Sequence, residues 1–272
     1  MAGDQAMAGD QALAGDPVMA GDPVMAGDPV DQTAAGDRPP ERRPPPPPLA
    51  SPSPPLPRGA GTSRELLADR AYDELRDRLV TLRIPPGSPI DEDAIGTELG
   101  MGRTPVREAI KRLALENLVT VFPRRGTFAS EINITDLAYV SDVRTQLEAH
   151  AAYRAAQRIT PAQKRELDGL LDELGDRQGG DDQSALMLLD ARIHRFIYRC
   201  SGNPYLEETL GRYLNLSLRI WYLVIDRLPH LFARVHEHRE LLRAIGAGEA
   251  DRARDIVAEH IEVFEQEIRA VL

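Results

Sequence analysis

Leu67, Ala71, Leu75, Leu79 and Leu82 recur every three or four residues, a spacing that predicts one apolar face of a helix. The run "IPPGSP", residues 84–89, is expected to end it, because proline lacks the amide that a helix needs. Asp91 is placed to cap a second short helix whose Ile95 and Leu99 face inward, and Gly100 suits the left-handed position that closes it. Gly96 interrupts that helix at a cost of up to about 1 kcal/mol relative to alanine. A third helix is expected two residues further on, over "RTPVREAIKRL", with Thr104 as N-cap and Pro105 at N1, or with a start at Gly102. This spacing is that of a helix-turn-helix. The stretch "LVTVFPRRGTFAS" then reads as two short strands, Val119 to Phe122 and Thr127 to Ala129, joined through "PRRG". A helix-turn-helix followed by a basic hairpin is a winged helix.

From residue 131 onward the periodicity is helical throughout, with segments at 135–159, 162–175, 182–200, 204–227, 230–246 and 249–270. Breaks fall at Pro161, "GDRQGGDD", "SGNP", Pro229 and "GAGE". Short connections between amphipathic helices make an antiparallel bundle. The expected fold class is therefore mainly α: an N-terminal winged helix-turn-helix over 62–130 and a C-terminal all-α antiparallel helical bundle over 131–272. Residues 1–61 break the pattern, opening on a six-residue repeat (AGDQAM, AGDQAL, AGDPVM) and running into "RPPERRPPPPPLASPSPPLPRG". Neither composition can pack a core, so a disordered repeat and proline-rich tail is expected, dispensable for folding; a proline-rich docking ligand is the alternative.

The 272 residues carry a formal net charge of -10, unevenly distributed. Segment 1–61 holds 4 basic and 8 acidic residues, 62–130 holds 11 of each, and 131–272 holds 18 and 24. Within the balanced segment, Arg103, Arg107, Lys111, Arg112, Arg124 and Arg125 stand against Glu108 and Glu116 alone over residues 101–130. A local positive patch on an acidic chain points to a localised polyanion site. The single cysteine, Cys200, has no intramolecular disulfide partner, and no basic segment followed by an apolar one opens the chain. No apolar run approaches the length of about eighteen residues that spans a bilayer, so no membrane association and a cytoplasmic location are expected.

At about 100° per residue, Arg103, Thr104, Arg107 and Lys111 share one arc of the third helix, while Val106, Ala109, Ile110 and Leu113 take much of the rest. One face is core and the other a row of donors. Arginine on such a helix can fork to guanine or phosphate in a major groove, and Arg124, Arg125 and Gly126 at a narrow hairpin tip can reach phosphate or an adjacent minor groove. A solvated charged face is the plainer reading of the helix by itself, and the basic hairpin tips the balance towards DNA.

The segment "IGTELGMGRTPVREAIKRLALENLVTVFPRRGTF" resembles the GntR family of bacterial transcriptional regulators, across essentially all of 62–130. The resemblance implies DNA contacts from Arg103, Thr104 and Arg107 and from Gly126 with its neighbour Arg125. Gly102 departs from the family pattern, standing where Ser or Thr is common, and Gly96 is a second departure. The helical half resembles the effector-binding and dimerisation domain of the FadR-type branch, the FCD domain.

Asp190 and His194, four apart, share one helical face and can reach a single ion. His238 and His260 on the last two helices are candidates for two more ligands, and an Asp with three His suits Zn, Ni or Mn with positions left open for water or an anion. Singly each histidine reads as ordinary; metal-binding FCD domains carry the same order and spacing, so the resemblance implies this four-residue divalent metal site. His150 and His236 match no ligand position. Arg144 matches the place where resembling domains bind an effector carboxylate, for which guanidinium offers a fork, and an ion pair with a nearby acid is its alternative. Asn215 and Arg219 are expected to project from the fourth bundle helix into the same cavity, with Trp221, Tyr222 and Phe264 in the core or a dimer interface. The leading function is a dimeric regulator that binds a palindromic DNA operator and responds to a small carboxylate. The alternatives are a sensor for which the ion is the signal, and a metal-dependent hydrolase, for which no HExxH, nucleophile elbow or general base is evident.

Overall fold

The computed structural model describes residues 63–177, 182–228 and 230–272. The repeat and proline-rich segment expected as a tail lies outside the described residues, as do Pro229 and the middle of the "GDRQGGDD" loop. Among the described residues the order is α1 (Ser63–Val80), α2 (Glu92–Leu99), α3 (Arg103–Leu115), β1 (Val119–Phe122), β2 (Gly126–Ala129), α4 (Asp136–Arg158), α5 (Pro161–Asp176), α6 (Gln183–Cys200), α7 (Pro204–Val224), α8 (Leu231–Ala247) and α9 (Ala250–Val271). A 3-10 turn at Ile225–Arg227 extends α7.

Local chemistry explains the boundaries. Asp91 caps α2 by accepting from the amides of Asp93 and Ala94 at 2.9 and 3.0 Å, and Gly100 closes it with φ 64°. Thr160 and Gln163 form a reciprocal capping box ahead of Pro161, and Asn203 caps α7 ahead of Pro204. Helix α1 ends at Val80, before the proline run expected to stop it; Leu82 lies beyond the helix with φ 57°, and Leu67 is exposed rather than inward. The third helix starts from Gly102, not Thr104, which puts Pro105 in the first turn and leaves Thr104 exposed.

Two hydrophobic cores form. Ala71, Leu75 and Leu79 of α1 pack with Ile95, Val106, Ile110, Leu113 and Leu118 in the first. The hairpin pairs antiparallel, Val119 opposite Ala129 and Phe122 opposite Gly126, and the 87–90 segment bonds to the outer edge of β2 through Ile90 N to Thr127 O at 2.8 Å. The second core fills the bundle, where α4 packs along α9 and also meets α6, α7 and α8. Helix α7 serves both cores: Leu216 packs on the first, Arg212 donates to the Leu115 carbonyl at 2.6 Å, and Arg219 donates to the Ser130 carbonyl.

Gly96 proves to be a packing requirement rather than a defect. It is buried, and a Cβ there would come within 3.0 Å of the Met101 carbonyl oxygen. Gly96→Val, despite removing a glycine from a helix, is expected to destabilise the first core by about 1–3 kcal/mol. A thermal melt checks this, and an unchanged or raised melting temperature contradicts it.

Candidate functional site

The charged side of α3 is a solvent face: Arg103, Thr104, Arg107 and Lys111 are exposed, while Pro105, Val106, Ala109, Ile110 and Leu113 are buried. Arg124, Arg125 and Gly126 are exposed at the hairpin tip. There Arg125 N donates to Phe122 O at 3.1 Å, and positive φ falls on Arg124 (64°) as well as Gly126 (105°). A left-handed non-glycine residue costs roughly 1–2 kcal/mol, so the tip holds an arginine outward at some strain.

The two arginines of the first turns are already engaged. Arg103 Nε lies 2.6 Å from Asp93 Oδ1, and Arg107 Nε lies 2.8 Å from Glu92 Oε2. Glu92 also accepts from Thr127 Oγ1 at 3.2 Å, so one carboxylate of α2 joins the α3 arginine row to the wing. These acids escaped the sequence reading, although their place in the first turn of α2 was the available signal. The arginines are 68% and 61% exposed, and solvent screens such pairs, so a phosphate or guanine edge can displace the carboxylates.

The second constellation is buried. Asp190 and His194 on α6, His238 on α8 and His260 on α9 bring one ligand atom each to within 4.8 Å of all the others. His194 Nε2 faces His238 Nε2 at 3.2 Å, and Asp190 oxygens lie 3.8 Å from the first and 3.7 Å from the second. The opposite edges of the rings decide the tautomers. His194 Nδ1 lies 2.6 Å from Glu148 Oε2, His238 Nδ1 lies 3.1 Å from the Val235 carbonyl, and His260 Nδ1 lies 3.3 Å from Glu237 Oε2. Each partner is an acceptor, so each neutral ring carries its one N–H on Nδ1 and a lone pair on Nε2.

Three imidazole lone pairs and a carboxylate thus share one small volume, where Asp190 Oδ2 has no hydrogen-bond partner. Acceptors repel one another at such distances, and a divalent cation is the species that the donor set fits. Outward N–H bonds to carboxylate or carbonyl are what orients histidine ligands. Glu148 and Glu237 fill this supporting role and were missed in sequence; Glu148 stands four residues after Arg144, which places both on one helical face.

Burial pushes His238 down to about 4 against the opposing pull of Asp190, and pushes His260 well below the usual imidazole range. Burial alone would raise Glu148, but Arg144, Nε to Oε1 at 2.7 Å, and His194 together hold it at about 2. Arg144 is itself 1% exposed, lies 5.0 Å from the Trp221 ring, and keeps Nη2 without a hydrogen-bond partner. With Ser141, Trp221, His260 and Phe264 it lines a cavity of about 10 Å³. Trp221 and Phe264 are therefore core residues and cavity walls at once, their rings 4.7 Å apart. His150 is exposed, and His236 bonds the Phe232 carbonyl on its own helix.

Two expected residues are elsewhere. Asn215 accepts from Arg195 at 2.9 Å, and Arg219 binds Ser130 beneath the hairpin; neither lines the cavity beside Arg144. On α7 they lie six and two residues from Trp221, and that rotation around the helix carries them away from the face Trp221 presents.

An arginine-lined helix and basic wing, carried on a helical bundle with a buried polar centre, define a DNA-binding regulator. Residues 67–129 match the family described as bacterial regulatory proteins, gntR family, and residues 139–263 match the FCD domain. The chain belongs to the GntR family and carries an FCD domain. It is 30% identical over 206 residues to an HTH-type transcriptional regulator in an unstable DNA locus of Streptomyces ambofaciens, covering 74% of this chain and 84% of that one. It is 28% identical to the HTH-type transcriptional regulator McbR of Escherichia coli over 211 residues, 74% and 92% of the two chains. The solved structure of E. coli McbR/YncC superposes with a TM-score of 0.67 at 24% identity, covering 75% and 97%. The matching families and relatives are transcriptional regulators, not enzymes. Among the described residues no helix is long and apolar enough to cross a membrane.

The buried imidazoles make the metal-free protein acid-sensitive in a defined window. A histidine whose folded pKa is depressed favours folding above its unfolded value of 6.5, and that contribution is lost as pH falls towards about 4 for His238. In the presence of a chelator, melting temperature is expected to fall between those pH values, with a shallower fall in His238→Gln. Identical profiles for the two proteins contradict the assignment.

Proposed function

We propose that this GntR regulator acts as a homodimer on a palindromic operator, and that a small carboxylate effector bound beside a divalent metal ion in the bundle modulates that binding. Two-fold symmetry is what presents two recognition helices to two half-sites. Arg103, Thr104, Arg107 and Lys111 read or clamp one half-site, and Arg124, Arg125 and Gly126 approach the neighbouring backbone or minor groove.

The observation that carries the metal reading is the convergence of buried lone pairs from Asp190, His194, His238 and His260, each imidazole having its N–H turned outward. Zn, Ni and Mn all suit this donor set. When bound, the ion supplies positive charge and open coordination positions for an anion. Arg144 supplies the complementary group: one edge of its guanidinium is held by Glu148, while Nη2 is left for an effector oxygen. The cavity there is far smaller than a metabolite, so effector binding requires the walls formed by α4, α7 and α9 to separate. That displacement gives a ligand a route to the DNA-binding half, because α7 also bonds Leu115 and Ser130.

Arg107→Ala is expected to weaken operator binding by about 1–3 kcal/mol and relax sequence preference, with the fold intact. Footprinting checks this, and an unchanged footprint at unchanged affinity rejects α3 as the reading helix. His238→Ala is expected to lower bound metal and abolish the effector response while operator binding persists. Metal analysis of untagged protein tests it: substoichiometric metal in the wild type under replete conditions, or full occupancy in the variant, removes the site.

A further inference from the structure

Beneath the hairpin, a second and larger cavity separates the wing base from the bundle. It measures about 570 Å³ and is walled by Ile132, Val140, Val143, Tyr213, Leu216 and Ile220. Arg219 lines it and is 2% exposed, yet its Nε has no hydrogen-bond partner. Its Nη2 donates to the backbone carbonyl of Ser130, the residue directly after β2. Burial draws this guanidinium down to about 10, with Glu131 opposing. A buried cation that keeps a donor unpaired is costly, and an anion relieves that cost.

We propose that this cavity is a second ligand site, separate from the buried histidine cluster, that takes a small monocarboxylate with an apolar body. A carboxylate in the cavity that draws the Arg219 guanidinium away from the Ser130 carbonyl satisfies the donor left orphaned here, and the aliphatic and tyrosine wall covers the body of the ligand. Glu131 and Asp136 stand exposed in the lining and disfavour a dianion. The same carboxylate competes with the Ser130 carbonyl for the guanidinium, so binding bears on how α7 holds the base of the wing.

The test is titration of the full chain, by ligand-observed NMR, with acetate, hexanoate, phenylacetate and inorganic phosphate. Hexanoate or phenylacetate is expected to bind saturably below about 10 mM and more tightly than acetate or phosphate. Arg219→Gln and the plugging variant Val143→Trp are expected to weaken binding at least about tenfold, whereas Arg144→Gln and His238→Ala retain it, all four variants being confirmed folded by their melts. Failure of every carboxylate to saturate overturns the proposal. So does binding kept by both cavity variants, or phosphate binding as tightly as the apolar acids. Loss in Arg144→Gln or His238→Ala alone assigns the ligand to the histidine cluster and likewise overturns it.

Discussion

The interior of the bundle is organised around the Glu148 carboxylate. It is almost wholly buried, bonded on one oxygen to Arg144 and on the other to His194. A buried carboxylate is tolerated only with such compensation, and removing either partner leaves an uncompensated charge in a low-dielectric interior. Its consequences spread outward. By accepting a hydrogen bond from His194 Nδ1–H it turns the lone pair of that ring towards Asp190 and His238; by accepting from one edge of Arg144 it leaves Nη2 without a partner. A single side chain of α4 thus orients both the metal-type cluster and the candidate effector group.

The DNA-binding half shows the same logic in weaker form. Glu92 holds Arg107 and Thr127, and so sets helix against wing, but it does so in solvent, where exchange for a phosphate is inexpensive. Buried pairs fix geometry and exposed pairs remain exchangeable. Helix α7 links the two regions because Arg212, Leu216 and Arg219, on successive turns, face the winged helix while Trp221 faces the bundle interior.

Much of the molecule is legible in its sequence. Asp91 and Gly100, and the breaks at Pro161 and "SGNP", act through bonds within a few residues of themselves, so their signals are local and the element boundaries they imply agree closely with the structure. The α3 arginine row was equally plain, since a helix alone sets which positions share a face. Leu67 and Leu82 were misplaced because apolar spacing continues past the point where burial stops. Gly96 read as a weakness because its close neighbour, the Met101 carbonyl, becomes visible only when the turn is built.

By itself, then, the sequence determined the helices, the hairpin and the basic face, all of which depend on short-range periodicity or on residue chemistry, whereas Asp190, His194, His238 and His260 stood out as a set only through resemblance to other FCD domains. Tertiary structure alone decided what those side chains meet. Glu148 and Glu237 become partners of His194 and His260 only because α4, α6, α8 and α9 pack together, across separations of 46 and 23 residues. Arg219 goes to Ser130 rather than to the histidines because the angular position of a residue on α7 is read against its neighbours, which no local pattern records.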